Sequence, residues 1–197
     1  MTRTPRVTPP MTTIYTIGHS THPIDDFIGM LQAYAIGLVV DVRTVPQSRR
    51  NPQFGQQSLR QSLQGAGIEY AHRGSLGGLR TPAKDSTANA GWRNRSFRGY
   101  ADYMQTPQFR GAVEELIELG ARQRTAMMCA EAVPWRCHRS LVGDALLVRG
   151  IEVIDIMRAD KSSPHRLTPF AQVAGTHITY PPAQGTLGLS GATEGED

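Results

Sequence analysis

The chain has 197 residues, 39% of them hydrophobic and 19% charged, which is typical of one globular domain that buries its core without disulfides or metals. No apolar run approaches the roughly 20 residues that a membrane-spanning helix needs, so the sequence predicts no membrane partner. The net charge is +4, and from Arg43 to Arg98 ten Arg or Lys accompany only two acids, a basic segment that would attract phosphate or nucleic acid.

The two ends of the chain differ from its middle. Residues 1–12 lack the apolar centre of a secretory signal and are predicted to be a flexible leader, and residues 176–197 are predicted to be a disordered tail. Residues 13–175 are then a single domain. Without a signal the protein is expected in the cytoplasm, and its two cysteines, too few for a disulfide framework, are thiols, metal ligands or core residues.

In the middle, short β-rich apolar runs alternate with helical patterns, which indicates an α/β fold with a mainly parallel sheet. The predicted strands are 13–17, 37–42, 68–71, 125–130 and 151–157. The predicted helices begin near Pro23 and cover 56–63, 100–104, 107–120 and 136–149. We expect about five strands flanked by helices, in the order βαβαβααβαβ. The stretch from His72 to Phe97 exceeds ordinary loop lengths and is predicted to be an active-site lid or a partner-binding loop.

Polar side chains follow each predicted strand. They are His19 and Ser20, then Asp41 and Arg43, then His72 and Arg73, then Cys129 and Glu131. Because ligands of parallel sheets bind at the carboxyl ends of the strands, we expect the site at this edge.

The densest group of reactive side chains lies in residues 129–140, between the fourth strand and the last helix. Backbone N–H groups and the dipole at a helix start bind anions and stabilise a thiolate, and the arginines of this segment act in the same direction. Cys129 or Cys137 is therefore a candidate nucleophile, with His138 or Glu131 transferring protons.

Other roles fit the same residues. Cys137 falls on the apolar stripe of the predicted helix, and Cys129 ends an apolar strand, so either thiol can be a core residue. The eight-residue separation of the cysteines matches no usual zinc spacing, and adjacent Cys137 and His138 would point apart on a helix. Asp41 and Glu131 can be paired acid/base groups, or each can bind a neighbouring arginine.

The candidate residues fall into two sets, and neither singles out a metal or a cofactor. The candidate catalytic residues are Cys129, Glu131, Cys137, His138 and Asp41. The candidate substrate-binding residues are His19, Ser20, Arg43, Arg50, Arg73 and Arg139.

Further along the basic segment, Gly77-Gly78 suggests backbone freedom. A nucleic acid could be stacked or clamped by Arg80, Arg93, Arg95 and Arg98 around Trp92 and Phe97. The histidines His22, His165 and His177 are predicted to lie at the surface or in loops.

Several short motifs occur together: IYTIGHS at 14–20, VDVR at 40–43 followed by Pro46 and SRR at 48–50, LGG at 76–78, MCAE at 128–131 and CHR at 137–139. In combination they resemble the domain of unknown function 488 family, from about Thr13 to Met157. The resemblance implies a cytosolic α/β fold and supports the site, without implying a reaction. Members of the family often have a histidine where this chain has Asp155, which weakens a metal role at that position, although aspartate also binds metals.

Three functions are compatible with these residues. The first is an enzyme, a hydrolase or transferase, that acts on an anionic substrate such as a phosphate ester or nucleotide. The second is a nucleic-acid-binding protein without catalysis, which the basic segment would support. The third is a metal or redox sensor that uses the cysteines and nearby histidines.

Overall fold

The computed structural model describes residues 12–84 and 86–182. Residues 1–11 of the leader predicted at 1–12, and the part of the predicted tail beyond residue 182, lie outside these described residues. The strands are β1 (Thr13–Gly18), β2 (Leu38–Asp41), β3 (Glu69–His72), β4 (Thr125–Cys129), β5 (Glu152–Arg158), β6 (Lys161–Pro164), β7 (Gln172–Ala174) and β8 (His177–Thr179). The helices are α1 (Ile24–Ala33), α2 (Gln56–Gly65), α3 (Arg95–Tyr103), α4 (Pro107–Arg122) and α5 (Arg139–Leu147). Short 3-10 turns cover Pro52–Phe54, Gly74–Leu76 and Pro134–Arg136.

Six strands form the main sheet, in the order β3-β2-β4-β1-β5-β6. The first five are parallel, and β6 pairs antiparallel with β5. The prediction of a single α/β domain with a mainly parallel sheet is confirmed. The extra strand β6 was not predicted because its residues, Lys-Ser-Ser-Pro, are all exposed and show no apolar alternation, and its proline suits a sheet edge.

The sheet is covered on both faces. Every residue of β2 and β4 is buried, as expected for strands that lie between two layers of helices. Helices α1 and α2 pack their apolar side chains on one face, and α4 and α5 pack theirs on the other. Consecutive strand residues divide between the two layers, since Val39 belongs to the first and Val40 to the second.

The last helix begins later than predicted. A 3-10 turn occupies Pro134–Arg136, Cys137 has extended backbone angles (φ −131°, ψ 145°), and α5 starts only at Arg139. The prediction that this helix starts at Arg136 is wrong, because residues 134–136 form a separate 3-10 turn, in which the Cys137 N–H donates to the Pro134 carbonyl, before the helix begins. Cys137 therefore lies on the connection that precedes α5.

The domain also extends beyond its predicted end at residue 175. Residues His177–Thr179 form β8, which pairs with β7, and the side chains of Ile178 and Tyr180 are fully or almost fully buried. The placement of residues 176–182 in a disordered tail is wrong, since the alternation of Ile178 and Tyr180 directs both side chains to the core. Across the described residues, no helix combines the length and the apolar character needed to cross a bilayer.

Candidate functional site

A cavity of about 700 Å³ opens at the carboxyl ends of β1, β2 and β4. Its position follows from the topology. Strands β1 and β4 are neighbours, but α1 follows β1 on one face of the sheet and α5 follows β4 on the other. The two connections diverge, and in parallel sheets such a point leaves a crevice for a ligand. The predicted site residues in its wall are His19, Ser20, Arg43, Arg50, Cys129, Glu131, Cys137 and His138.

Two buried free thiols and one imidazole meet at the inner end of the cavity. The His138 Nδ1 atom lies 3.6 Å from Cys137 Sγ and 4.0 Å from Cys129 Sγ, and all three atoms lie within 4.8 Å of one another. The expectation that Cys137 and His138 point apart is wrong, because the extended backbone of Cys137 turns its side chain toward β4 before the helix begins.

The imidazole of His138 is held in one tautomer. Its Nε2 atom lies 3.2 Å from the carbonyl oxygen of Val42, which can only accept, so Nε2 carries the proton. In the neutral ring Nδ1 is then the unprotonated nitrogen, and in the charged ring it can donate to a thiolate; in either form it faces the two sulfurs. The His138 ring also packs at 5.0 Å from the ring of Tyr100, whose hydroxyl donates to the carbonyl of Leu76 at 2.8 Å.

Gly77 and Gly78 bring the loop after β3 directly against the site. A Cβ atom at Gly78 would lie 2.8 Å from His138 Cγ, and one at Gly77 would lie 2.7 Å from Thr44 Cα. Neither glycine has a positive φ. The interpretation of this pair as a source of backbone freedom is wrong, because the glycines are needed for close approach instead.

The two thiols act as a coupled pair. The hydrogen bond from Cys137 lowers the pKa of the Cys129 thiol well below its ordinary value against the effect of burial, and His138 and Arg139 act in the same direction. The pKa of Cys137 is raised because its proton is held by Cys129 and because the side chain is buried. The first proton therefore leaves the pair more readily from Cys129 than from Cys137.

A second polar group lies beside the thiols and is built around Arg43. The guanidinium binds both oxygens of Asp41, at 2.9 and 2.6 Å, and Tyr70 donates to the same carboxylate at 2.8 Å. Asp41 is fully buried behind Arg43 and does not line the cavity. Of the two predicted roles of Asp41, the structure shows the arginine partner. Glu131 is exposed in the cavity wall, and no other carboxylate among the described residues lines that wall.

His19 completes this group. Its Nδ1–H donates to the Ser20 carbonyl at 2.9 Å, so Nε2 is free to accept from Arg43 at 3.3 Å. Burial lowers the pKa of His19, and the ring stacks on Phe54 at 4.2 Å. His19 therefore presents a neutral, oriented imidazole to the cavity.

The predicted substrate-binding arginines separate in the structure. Arg50 lines the cavity, but Arg73 faces away and pairs with Glu115 at 3.3 Å. Arg139 is 1% exposed and lies beneath the cavity wall, where one N–H donates to the Glu131 carbonyl. Two further arginines, Arg49 and Arg136, line the cavity although neither was selected from the sequence. Arg49 is next to Arg50 in the sequence and Arg136 lies within residues 129–140, and these positions could have identified both arginines as candidates.

The long stretch between β3 and α3 contributes Gly78, Leu79, Ser96 and Phe97 to the cavity wall, so it borders the site. Its role as a lid remains a prediction. The expected nucleic-acid clamp stays a prediction, since Arg93 and Arg95 are exposed, but its other side chains have partners within the protein. Trp92 packs against Phe97, Phe170 and Tyr180, Arg80 stacks on Tyr103, and Arg98 donates to the carbonyl of Ser86.

His165 lies in the loop that follows β6, consistent with the predicted surface or loop position, but its side chain is only 6% exposed. It lies between two carboxylates, with Nδ1 3.0 Å from Asp155 and Nε2 3.2 Å from Asp144. Asp155 is thus part of an internal network and does not line the cavity.

Comparison with known proteins gave one match. The model of the family described as "Domain of unknown function DUF488" matches residues 23–146, which is more than half of the chain. Neither a curated protein nor a solved structure matched. The matched range contains the cavity arginines, the Gly77-Gly78 pair, both thiols and His138. The chain therefore belongs to the DUF488 family.

Proposed function

We propose that the protein is an enzyme, a hydrolase or transferase, that acts on a phosphate-containing anion. The observation that carries the proposal is the composition of one cavity wall. Among the described residues, four arginines (Arg43, Arg49, Arg50 and Arg136) and one carboxylate border it, and a thiol pair with an oriented imidazole lies at its inner end. The arginines that would bind an anion and the group that would react with it thus line the same cavity.

The arginines differ in their availability for a ligand. Arg43 is neutralised by its bidentate contact with Asp41, so it serves mainly to orient His19. Arg49, Arg50 and Arg136 are exposed, and no described carboxylate lies within salt-bridge distance of them. Guanidinium groups bind phosphate oxygens through paired hydrogen bonds, which makes these three the expected substrate clamp.

Two reactions are compatible with the thiols and His138. In the first, the Cys129 thiolate attacks phosphorus, the S–P bond forms as the P–O bond to the leaving group breaks, and the leaving oxygen takes a proton. Water then cleaves the S–P bond and restores the thiolate. In the second, both thiolates and His138 hold a metal ion that activates water for a direct attack. Both reactions require the two cysteines reduced, as expected in the cytoplasm.

Binding of a phosphate probe tests the substrate class. We expect ADP to bind the reduced protein and Arg50→Ala or Arg136→Ala to weaken it about tenfold each, since a hydrogen bond to a charged group contributes about 1.5–3 kcal/mol. Arg122→Ala is the matched control, because Arg122 is 73% exposed on α4 and lies away from the cavity. Isothermal titration calorimetry measures the ADP affinity of the wild type and of the three variants.

Turnover is tested with p-nitrophenyl phosphate, bis-p-nitrophenyl phosphate and ATP. Cys129→Ser should remove turnover and leave ADP affinity within about twofold, because Cys129 acts on the reacting group. The proposal fails if neither ADP nor inorganic phosphate binds, or if Arg122→Ala weakens binding as much as the cavity variants do.

Binding of nucleic acid without catalysis is the second candidate. The observation in its favour is the exposure of Val45, Leu79 and Trp135 near the cavity arginines, since exposed apolar and aromatic groups beside arginines suit unpaired bases. Tight, salt-dependent binding of single-stranded RNA or DNA in the absence of any turnover would favour this function over the enzyme.

A further inference from the structure

The two thiols and the imidazole at the inner end of the cavity have the arrangement of a metal site. Each of the three residues contributes one donor atom, and the atoms lie within 4.8 Å of one another. A tetrahedral ion with metal–sulfur bonds of about 2.3 Å and a metal–nitrogen bond of about 2.0 Å has sulfur–nitrogen edges of about 3.6 Å. The corresponding distances are 3.6 Å from Cys137 and 4.0 Å from Cys129.

A second observation is the tautomer of His138. Metal-binding histidines usually donate their other ring N–H to a carbonyl or carboxylate, which directs the free nitrogen at the ion. His138 has this arrangement, because Nε2 donates to the Val42 carbonyl at 3.2 Å and Nδ1 faces both sulfurs. Close packing against Gly78 and Tyr100 holds the ring in this position.

Charge is the third consideration. Two thiolates and a divalent ion form a neutral unit, whereas two thiolates alone would be a costly buried pair of like charges. The buried guanidinium of Arg139 adds a positive charge close to the sulfurs, and its Nε and Nη1 atoms have no hydrogen-bond partner among the described residues. A negatively charged group on the ion, such as hydroxide or a phosphate oxygen, would be stabilised by this charge.

We propose that Cys129, Cys137 and His138 bind one divalent thiophilic ion, with Zn²⁺ as the expected metal. Two thiolates and one imidazole are ligands that favour Zn²⁺, and three protein ligands leave a fourth position for water or substrate. Binding displaces to solvent every proton that the two sulfurs carry, two from a pair of thiols or one from a thiol and a thiolate, and forms two sulfur–metal bonds, with neutral Nδ1 as the third donor. Because all three residues line the cavity, the fourth position faces the proposed substrate.

This inference selects the second of the two reactions above, and in that respect it rests on the proposed function. Metal binding itself can be measured without substrate. The experiment adds Co²⁺ and, separately, Zn²⁺ to the reduced, untagged full chain, followed by desalting and elemental analysis. We expect one ion per chain, and with Co²⁺ the intense visible absorption of a tetrahedral thiolate site.

Variants assign the ligands. Cys129→Ser and Cys137→Ser should each abolish the Co²⁺ absorption, and His138→Ala should weaken Co²⁺ binding more than about tenfold. His177→Ala is the matched control, because His177 is an exposed histidine that does not line the cavity, and it should bind Co²⁺ like the wild type. In the wild type, Zn²⁺ should slow alkylation of both cysteines by iodoacetamide, a measurement that needs no variant to fold.

The inference is overturned if the reduced wild-type protein retains neither ion, or if the bound ion leaves iodoacetamide alkylation unchanged. Retention of the ion by Cys129→Ser and Cys137→Ser alike would also overturn it. The two proposals fail separately. Loss of metal binding leaves the effect of Arg50→Ala on ADP affinity intact, and loss of ADP binding leaves the Co²⁺ absorption intact.

Discussion

His138 connects the parts of the candidate site at the scale of single residues. Its ring is held by the Val42 carbonyl on one side and faces two sulfurs on the other, and Gly78 and Tyr100 pack against its surface. A histidine placed in this way has one nitrogen available and little freedom to turn. The chemistry of both sulfurs therefore depends on residues that carry no reactive group.

Gly78→Ala tests this dependence without removing any donor atom. The new methyl group would lie 2.8 Å from His138 Cγ, so the ring and the loop cannot both keep their present positions. We expect weaker Co²⁺ binding, lost turnover and destabilisation of about 1–3 kcal/mol, the usual cost of overpacking. Elemental analysis and urea unfolding measure these effects.

Gly111→Ala is the control for that substitution. Gly111 lies on the exposed side of α4, and nothing would lie within 4 Å of a Cβ atom there. Alanine should stabilise the helix by about 0.5–1 kcal/mol and leave Co²⁺ binding unchanged. Equal Co²⁺ binding by the Gly78 variant and the wild type would show that His138 is not positioned through Gly78.

At the scale of elements, the connection between β4 and α5 decides how the thiols are presented. Its 3-10 turn ends at Arg136, and the extended Cys137 then crosses back toward the end of β4. At the neighbouring strand end, a Cβ atom at Gly18 would meet the backbone of Glu131, so β1 also supports this connection through close contact. The position of the thiols is thus set by the backbone of strand ends and of one short connection.

The segment that contains β8 contributes to stability more than its position near the chain end suggests. Tyr180 is fully buried, its hydroxyl donates to Asp144 at 2.8 Å, and its ring packs near Trp92 and Phe170. Tyr180→Ala should lower the free energy of unfolding by about 3–5 kcal/mol, since it leaves a cavity and removes a partner from a buried carboxylate. Urea unfolding followed by tryptophan fluorescence measures it.

Val173→Ala on the paired strand β7 is the comparison. Val173 is 45% exposed, so its truncation should change the free energy of unfolding by no more than about 0.5 kcal/mol. Similar effects of the two substitutions would mean that β8 is not part of the cooperative domain.

At the scale of the whole molecule, one internal network joins strands β1 and β5 to the last helix. His165 bridges Asp155 on β5 and Asp144 on α5, Thr16 on β1 donates to Asp155, and Tyr180 donates to Asp144. Although burial alone would lower the pKa of His165, the two carboxylates raise it from 6.5 to about 9. The folded protein thus holds an imidazolium at neutral pH.

This network predicts a dependence of stability on pH. Because the pKa of His165 is higher in the folded state, its contribution is complete below pH 6.5 and is lost as pH rises to about 9. We expect the wild type to lose more stability between pH 6.5 and 9.5 than His165→Gln, whose amide does not titrate. Urea unfolding at several pH values gives both curves, and His177→Gln should follow the wild type. Parallel curves for the wild type and His165→Gln would refute the prediction.

The hydrophobic pattern of the sequence was sufficient to predict the features of this protein that depend on interactions between residues close in the chain. Runs such as residues 38–40 are apolar because they lie between two helical layers, and each is followed by polar residues at the edge of the sheet where the parallel strands end. The fold class and the edge of the sheet at which the candidate residues lie could therefore be inferred from the sequence alone. The exposed edge strand β6 and the buried His165 could not, since neither has a distinctive local pattern.

What the sequence determined by itself was the alternation of strands and helices and the edge at which reactive residues collect. Only the tertiary structure decided which of them meet. The insertion of β4 between β1 and β2 brings Val42 within reach of His138. The late start of α5 turns Cys137 toward Cys129. The directions of the loops place Arg49 and Arg136 in the cavity wall and turn Arg73 away from it. These outcomes depend on strand order and on the angles at which connections leave the sheet. Both are set by packing between segments that are distant in the chain, and residue spacing does not encode them.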